Sequence, residues 1–145
     1  METFVHKFYP SIIDGETFFK ILCLVSFLVI TIDFIWIKLV MMNEYTNLIA
    51  DIQKTSIMVR FIPTILCYIT IILSIVLFVI PKISKENILE DSIIYGGLMG
   101  FFMYGMFSFT NYALLDRWSL RVLLLDTFWG AFLYSLVSYI TTSFL

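Results

Sequence analysis

Four long apolar runs dominate this sequence and leave few choices for its fold. They extend from Phe18 to Met41, Phe61 to Ile80, Ser92 to Leu115 and Leu120 to Ile140. Each is close to the roughly 20 residues that a helix needs to cross the hydrocarbon core of a bilayer. A span surrounded by lipid must satisfy its own backbone, so each run is expected to be α-helical. Composition argues against a water-soluble alternative. Only 14% of the residues are charged and 61% are hydrophobic, with a mean hydropathy of +0.98. A soluble domain of this size carries roughly a quarter of its residues as charges. The expected class is therefore all-α: a multi-pass integral membrane bundle of four transmembrane helices, one domain over residues 1–145. The first run is too long for a signal peptide's apolar core, contains Asp33 and lacks a small-residue cleavage site, so it is read as a retained span.

The connections are informative. Between spans one and two, Tyr45, Leu48, Ile49, Ile52 and Val59 recur at helical spacing, while Glu44, Asp51 and Lys54 fall mostly off that stripe. The pattern predicts an amphipathic helix lying in the interface. A polar loop that happens to be periodic is the simpler alternative. Pro81 is expected to end span two. Leu114 to Ser119 is short enough to join spans three and four as an antiparallel hairpin.

Four spans place both termini on one side of the membrane. That side holds Lys7, Lys20, Lys82 and Lys85, and the opposite side holds Lys38, Lys54, Arg60, Arg117 and Arg121. Four basic residues against five do not select an orientation by the positive-inside rule. No basic cluster is dense enough for nucleic acid. The single histidine, His6, has no partner for a metal, and no cofactor motif is present, so neither metal nor cofactor is expected. Cys23 and Cys67 are isolated in apolar runs near opposite membrane faces and are expected to act as small hydrophobes, with no disulfide between them.

Polar residues nevertheless occur within the spans, and chain direction places them at one depth. Span one brings Asp33 and Trp36 toward the second membrane face. Span three brings Tyr104, Ser108 and Asn111 there, and span four begins there with Arg121, Asp126 and Trp129. Charge near a helix centre costs at least about 2.5 kcal/mol, so such groups face the bundle or a water pocket and have partners. Arg121, Arg117, Arg60 and Lys38 are candidate counter-charges. This layer is the candidate site. The plain alternative is structural: a buried Asp is as often an ion pair or an interhelical hydrogen bond, and Trp36, Trp118 and Trp129 read as interface anchors or packing ahead of ligand platforms. On span three, Ser92, Gly96 and Gly100 form a small-residue stripe at intervals of four, continued by Tyr104 and Ser108. Such a stripe lets another helix approach closely.

The segments "DFIW", "YGMFSFTNYALL" and "WSLRVLLLDTFWG" resemble the domain of unknown function family 2177. Its members are small, mostly bacterial, four-span membrane proteins. The family pattern runs Asp-x-x-Trp, then Tyr-Gly-x-Tyr-Asp-x-Thr-Asn-x-Ala-Thr-Leu, then a Trp followed by Asp-x-x-Trp-Gly. By position it covers Asp33, Trp36, Tyr104, Gly105, Thr110, Asn111, Ala113, Leu115, Trp118, Asp126, Trp129 and Gly130. The resemblance implies the four-span fold and no established activity. This chain departs from the pattern at Phe107, Ser108 and Leu114, losing a phenol and an acid from the polar layer.

Two functional readings follow. The first is a non-catalytic structural or accessory component of a bilayer, packing against lipids, other membrane or structural proteins, or itself. The small-residue stripe and the lack of a recognisable catalytic set favour it and lean against an enzyme. Ile occurs 22 times and Ala 3 times. That bias fits an AT-rich source and leaves room for a virus with an internal membrane, where the chain would be a virion component. The second reading is a membrane enzyme or carrier acting on a lipid or apolar small molecule through the Asp, Asn and Tyr cluster. A proton or ion pathway ranks third, because the other halves of the spans read as almost wholly apolar. A cavity open to lipid would discriminate for the second reading.

Overall fold

The computed structural model describes residues 14–145. His6 and Lys7 lie outside the described residues. Helix α1 runs over Gly15–Trp36. Asp14 caps it, its carboxylate accepting from the Thr17 amide at 2.7 Å. Hydrogen bonding from Thr17, its side chain first and its amide second, holds the Asp14 carboxyl below the usual carboxylate range. Ile21, Val25, Val29 and Asp33 are the buried residues of α1. They recur every four residues, so the carboxylate is the last member of the core stripe.

A π-helical turn, Ile37–Met41, carries α1 directly into α2, Met42–Gln53. The amphipathic segment is thus a helix joined to the first span, and it ends earlier than the periodicity suggested. Lys54 adopts a left-handed conformation with φ 58° and closes α2 through a bond to the Ala50 carbonyl. Val59 lies beyond that end and is 73% exposed, so it does not belong to the packed stripe. The stripe itself does pack: Leu48, with Tyr45, Ile49 and Ile52 beside it, meets Met41, Trp118, Val122 and Leu123. The α2 helix therefore covers the α5–α6 end of the bundle. Its exposed acids pair there, Asp51 with Arg117 at 2.6 Å and Glu44 with Arg121 at 3.2 Å.

Helix α3 spans Phe61–Ser74, continues through a π-helical segment, Ile75–Val79, and ends in a 3-10 turn, Ile80–Lys82, that contains Pro81. A short α4, Ile88–Asp91, leads through the π-helical segment Ser92–Gly96 into α5, Gly97–Leu114. After a tight turn capped by Ser119, α6 spans Leu120–Ser143. The first span with α2, α3 with its extension, α4 with α5, and α6 give four helical stretches long and apolar enough to cross a membrane. Large apolar side chains such as Phe27, Leu66, Phe102, Met106 and Phe128 cover the outside, as lipid requires.

The small-residue stripe is where α5 and α6 meet. A methyl group on Gly100 would overlap the Gly130 carbonyl, and one on Gly96 would lie 2.9 Å from the Tyr134 carbonyl. The face expected to receive another helix is therefore filled by α6 of the same chain. Gly130 in turn leaves room for the Tyr104 ring, which a methyl group there would overlap.

The main core joins α1, the C-terminal part of α3 and α6 through Val25, Val29, Ile75, Val76, Leu133 and Val137. Span hydroxyls are largely satisfied locally: Ser26, Thr70, Thr127 and Ser135 each donate to the carbonyl four residues earlier. The half of the bundle away from α2 is more polar than the sequence suggested. Ser74 and Tyr134 share a hydrogen bond of 2.6 Å. Ser92, Ser138 and Thr141 are fully buried without a hydrogen-bond partner among the described residues.

Candidate functional site

At the α2 end, α3 packs on α1 rather than on α5 or α6. That splay leaves a cavity of about 520 Å³. Asp33, Trp36 and Ile37 form its wall on the first span, with Tyr45 of α2 above them. Thr64, Cys67, Tyr68 and Ile71 supply the α3 wall, Met103, Tyr104 and Phe107 the α5 wall, and Asp126 and Trp129 the α6 wall. The α3 residues recur at intervals of three, four and seven, so one helix face lines the cavity.

Both carboxylates are buried, Asp33 being 5% and Asp126 3% exposed. Each is held by neutral donors. The Tyr68 hydroxyl donates to Asp33 Oδ2 at 2.8 Å. Trp129 Nε1 donates to Asp33 Oδ1 at 2.9 Å, and the Tyr104 hydroxyl approaches the same oxygen at 3.3 Å. Tyr45 places its hydroxyl 2.6 Å from both oxygens of Asp126, one hydrogen shared between them. Ser108 Oγ donates to Asp126 Oδ2 at 3.4 Å. The indoles of Trp36 and Trp129 stack at 4.2 Å with an interplanar angle of 4°.

The structure thus brings Asp33, Trp36, Tyr104, Ser108, Asp126 and Trp129 into one layer. Two expected members lie elsewhere. Asn111 is only half-buried, and neither carboxylate receives a bond from its side chain. Arg121 is turned outward to Glu44, and Arg117 to Asp51. Lys38 lies 5.8 Å from the centroid of the Phe34 ring. Arg117 and Arg121 are drawn to the bundle's outer surface because α2 offers acids there at lower desolvation cost.

Tyr45 and Tyr68, the shortest contacts to the two acids, were not among the expected site residues. Tyr45 sat on the stripe assigned to the interface. Tyr68 sat in an apolar run in which Thr64, Cys67 and Tyr68 do share a helical face, a signal available in the sequence.

The Tyr45 bond has a testable consequence. It ties α2 to α6, whereas the surface pairs Glu44–Arg121 and Asp51–Arg117 contribute little. Removing it by Tyr45→Phe should cost about 1 kcal/mol, which raises the open population of α2 about fivefold. Thermolysin cleavage at Leu48 and Ile49, which pack against the bundle when α2 is closed, reads this opening. An unchanged cleavage rate would mean that α2 is held by its apolar stripe alone.

These features define a class: an α-helical integral membrane protein of four spans with a polar cavity at one end of its bundle. Within it, the chain belongs to the family described as predicted membrane protein (DUF2177), whose sequence profile matches residues 18–143. No curated protein matches the chain, and no solved structure does. The matched region contains every cavity residue named above.

Proposed function

We propose that this protein binds an amphiphilic small molecule or lipid within the membrane, as a carrier or as the substrate-holding part of an enzyme. The observation that carries this reading is the cavity of about 520 Å³ between α3 and the rest of the bundle. A purely structural bundle gains nothing from leaving such space beside two buried carboxylates, since interiors otherwise pack to near-crystalline density. The volume falls in the range of small-molecule sites, about 300–1,000 Å³, that combine apolar walls with a few convergent polar groups. Binding needs no further groups; Asp33 and Asp126 would contact the polar head, with Tyr45, Tyr68 and Tyr104 orienting them.

The reading as a non-catalytic structural component rests in part on the small-residue stripe, and its virion form on the Ile-rich, Ala-poor composition. That stripe is occupied within the chain, so it no longer supports a partner protein. Stoichiometric recovery of the chain from purified particles would be the evidence for the virion reading.

Cys67 lies on an exposed part of α3 and lines the cavity. A Trp there should fill the space while leaving the α5–α6 contact intact. Organic extracts of the purified wild type should contain a molecule near one equivalent per chain that Cys67→Trp lacks. Identical extracts by mass spectrometry would overturn the proposal.

A further inference from the structure

The cavity's chemistry is one-sided. Asp33 and Asp126 line it, and among the described residues no Lys, Arg or His does so. Of the cations at this end of the bundle, Arg117 and Lys54 pair with Asp51 and Arg121 with Glu44, Lys38 lies by the Phe34 ring, and Arg60 is exposed next to the lining residue Val59 without itself lining the cavity. Both acids accept from neutral hydroxyls and an indole, which supply hydrogen bonds without supplying charge. Electrostatic complementarity is therefore left to whatever occupies the cavity.

The walls favour the same kind of occupant. The stacked indoles of Trp36 and Trp129 border the space, together with the rings of Tyr45, Tyr68, Tyr104 and Phe107. Aromatic faces around a desolvated space attract ammonium groups through the ring quadrupole, and aromatic cages recognise quaternary ammonium in this way. Carboxylates and aromatic side chains lining one apolar cavity favour a positive head. The same composition disfavours phosphate. A phosphodiester head would enter a site lined by two acids and, among the described residues, by no cation, and would meet like-charge repulsion and uncompensated desolvation there.

We infer that the cavity takes a long-chain amine: a single-charged ammonium head between Asp33 and Asp126, its apolar chain leaving past α3 toward lipid. The inference rests on the reading of the cavity as an amphiphile site and names that amphiphile's head. Zwitterionic phospholipids are disfavoured as its ligands, because none of the described residues lining the cavity is a cation that could meet their phosphate.

The test uses the full chain in dodecyl maltoside. Dodecylamine, dodecyltrimethylammonium, dodecanol and dodecyl phosphate are added at matched mole fractions, with tryptophan fluorescence as the readout. One or both amines should saturate the signal at a mole fraction about tenfold below that of dodecanol, and dodecyl phosphate should give no saturable change. Asp33→Asn and Asp126→Asn should each weaken amine binding about tenfold, the loss of one charge-assisted contact. Dodecanol or dodecyl phosphate saturating at the same or a lower mole fraction than both amines would overturn the inference while leaving an amphiphile site in place. So would amine binding unaltered in both Asn variants. Saturation by none of the four probes would overturn the inference, and the extract analysis would then decide the broader reading separately. Should the Asn variants fail to fold, the comparison of probes on the wild type still decides.

Discussion

Gly100→Ala is expected to prevent this protein from forming a monodisperse, folded species in detergent. The added methyl group would overlap the Gly130 carbonyl carbon and oxygen and lie 2.9 Å from the Tyr134 side chain. Two of those obstacles are backbone, which cannot rotate away as a side chain can. The α5–α6 pair must then separate, and the hairpin also positions Tyr104, whose ring rests on Gly130. Overpacking a well-packed interior costs about 1–3 kcal/mol and occasionally more; a backbone clash belongs at or above the upper end. Gly97→Ala is the matched control. Its methyl group would meet Ser135 Oγ at 3.1 Å, a movable side-chain atom. Gly97→Ala should elute and melt close to wild type, whereas Gly100→Ala should aggregate or melt far lower. Equal behaviour of the two variants would mean that α5 and α6 cross less closely than the structure places them.

This contact also shows what the sequence disclosed and what it withheld. The four membrane spans and the tight turn after α5 follow from run length and composition, because lipid imposes the same demand on every span, whereas the first helical stretch runs on to Gln53 past the expected end at Met41. The stripe of Ser92, Gly96 and Gly100 was legible as a packing face. That its partner is α6 of the same chain was not, since a small-residue stripe records close approach without recording to what. The site divides in the same way. Depth along each span placed Asp33, Tyr104 and Asp126 together. Depth cannot give rotation: Asn111 has the right height but only half-buries its side chain. The shortest bonds were also hidden. Tyr45 meets Asp126 across 81 residues and Tyr68 meets Asp33 across 35. A tyrosine in an apolar run counts as apolar by composition, and only the assembled bundle shows that its hydroxyl points inward. The cavity arises from the splay of α3, a property of packing that no local pattern encodes.

Asp33→Leu is expected to produce the second large effect, and its sign separates two roles of the buried acid. Leu is similar in size and suits the apolar stripe of Ile21, Val25 and Val29. If burying the charge were the dominant cost, the substitution would stabilise the bundle, as replacing buried ionic groups by apolar ones can do. Here the acid does not leave alone. The hydroxyls of Tyr68 and Tyr104 and the Trp129 indole lose their acceptor together. An interhelical hydrogen bond in a membrane protein is worth about 0.6 kcal/mol on average, so three amount to about 2 kcal/mol before any penalty for stranded donors. Each stranded donor adds about 1–3 kcal/mol where water cannot reach it. The cavity shelters part of this set, so a loss of about 3 kcal/mol is expected, read as a lower thermal midpoint. Adding Tyr68→Phe to Asp33→Leu removes one stranded hydroxyl and should recover part of that loss, although Tyr68→Phe alone should destabilise. That reversal of sign is the signature of an acceptor that organises its donors. A midpoint that rises in Asp33→Leu would place the acid on the other side of the balance: a charge kept against the interest of the fold, for the sake of what it binds.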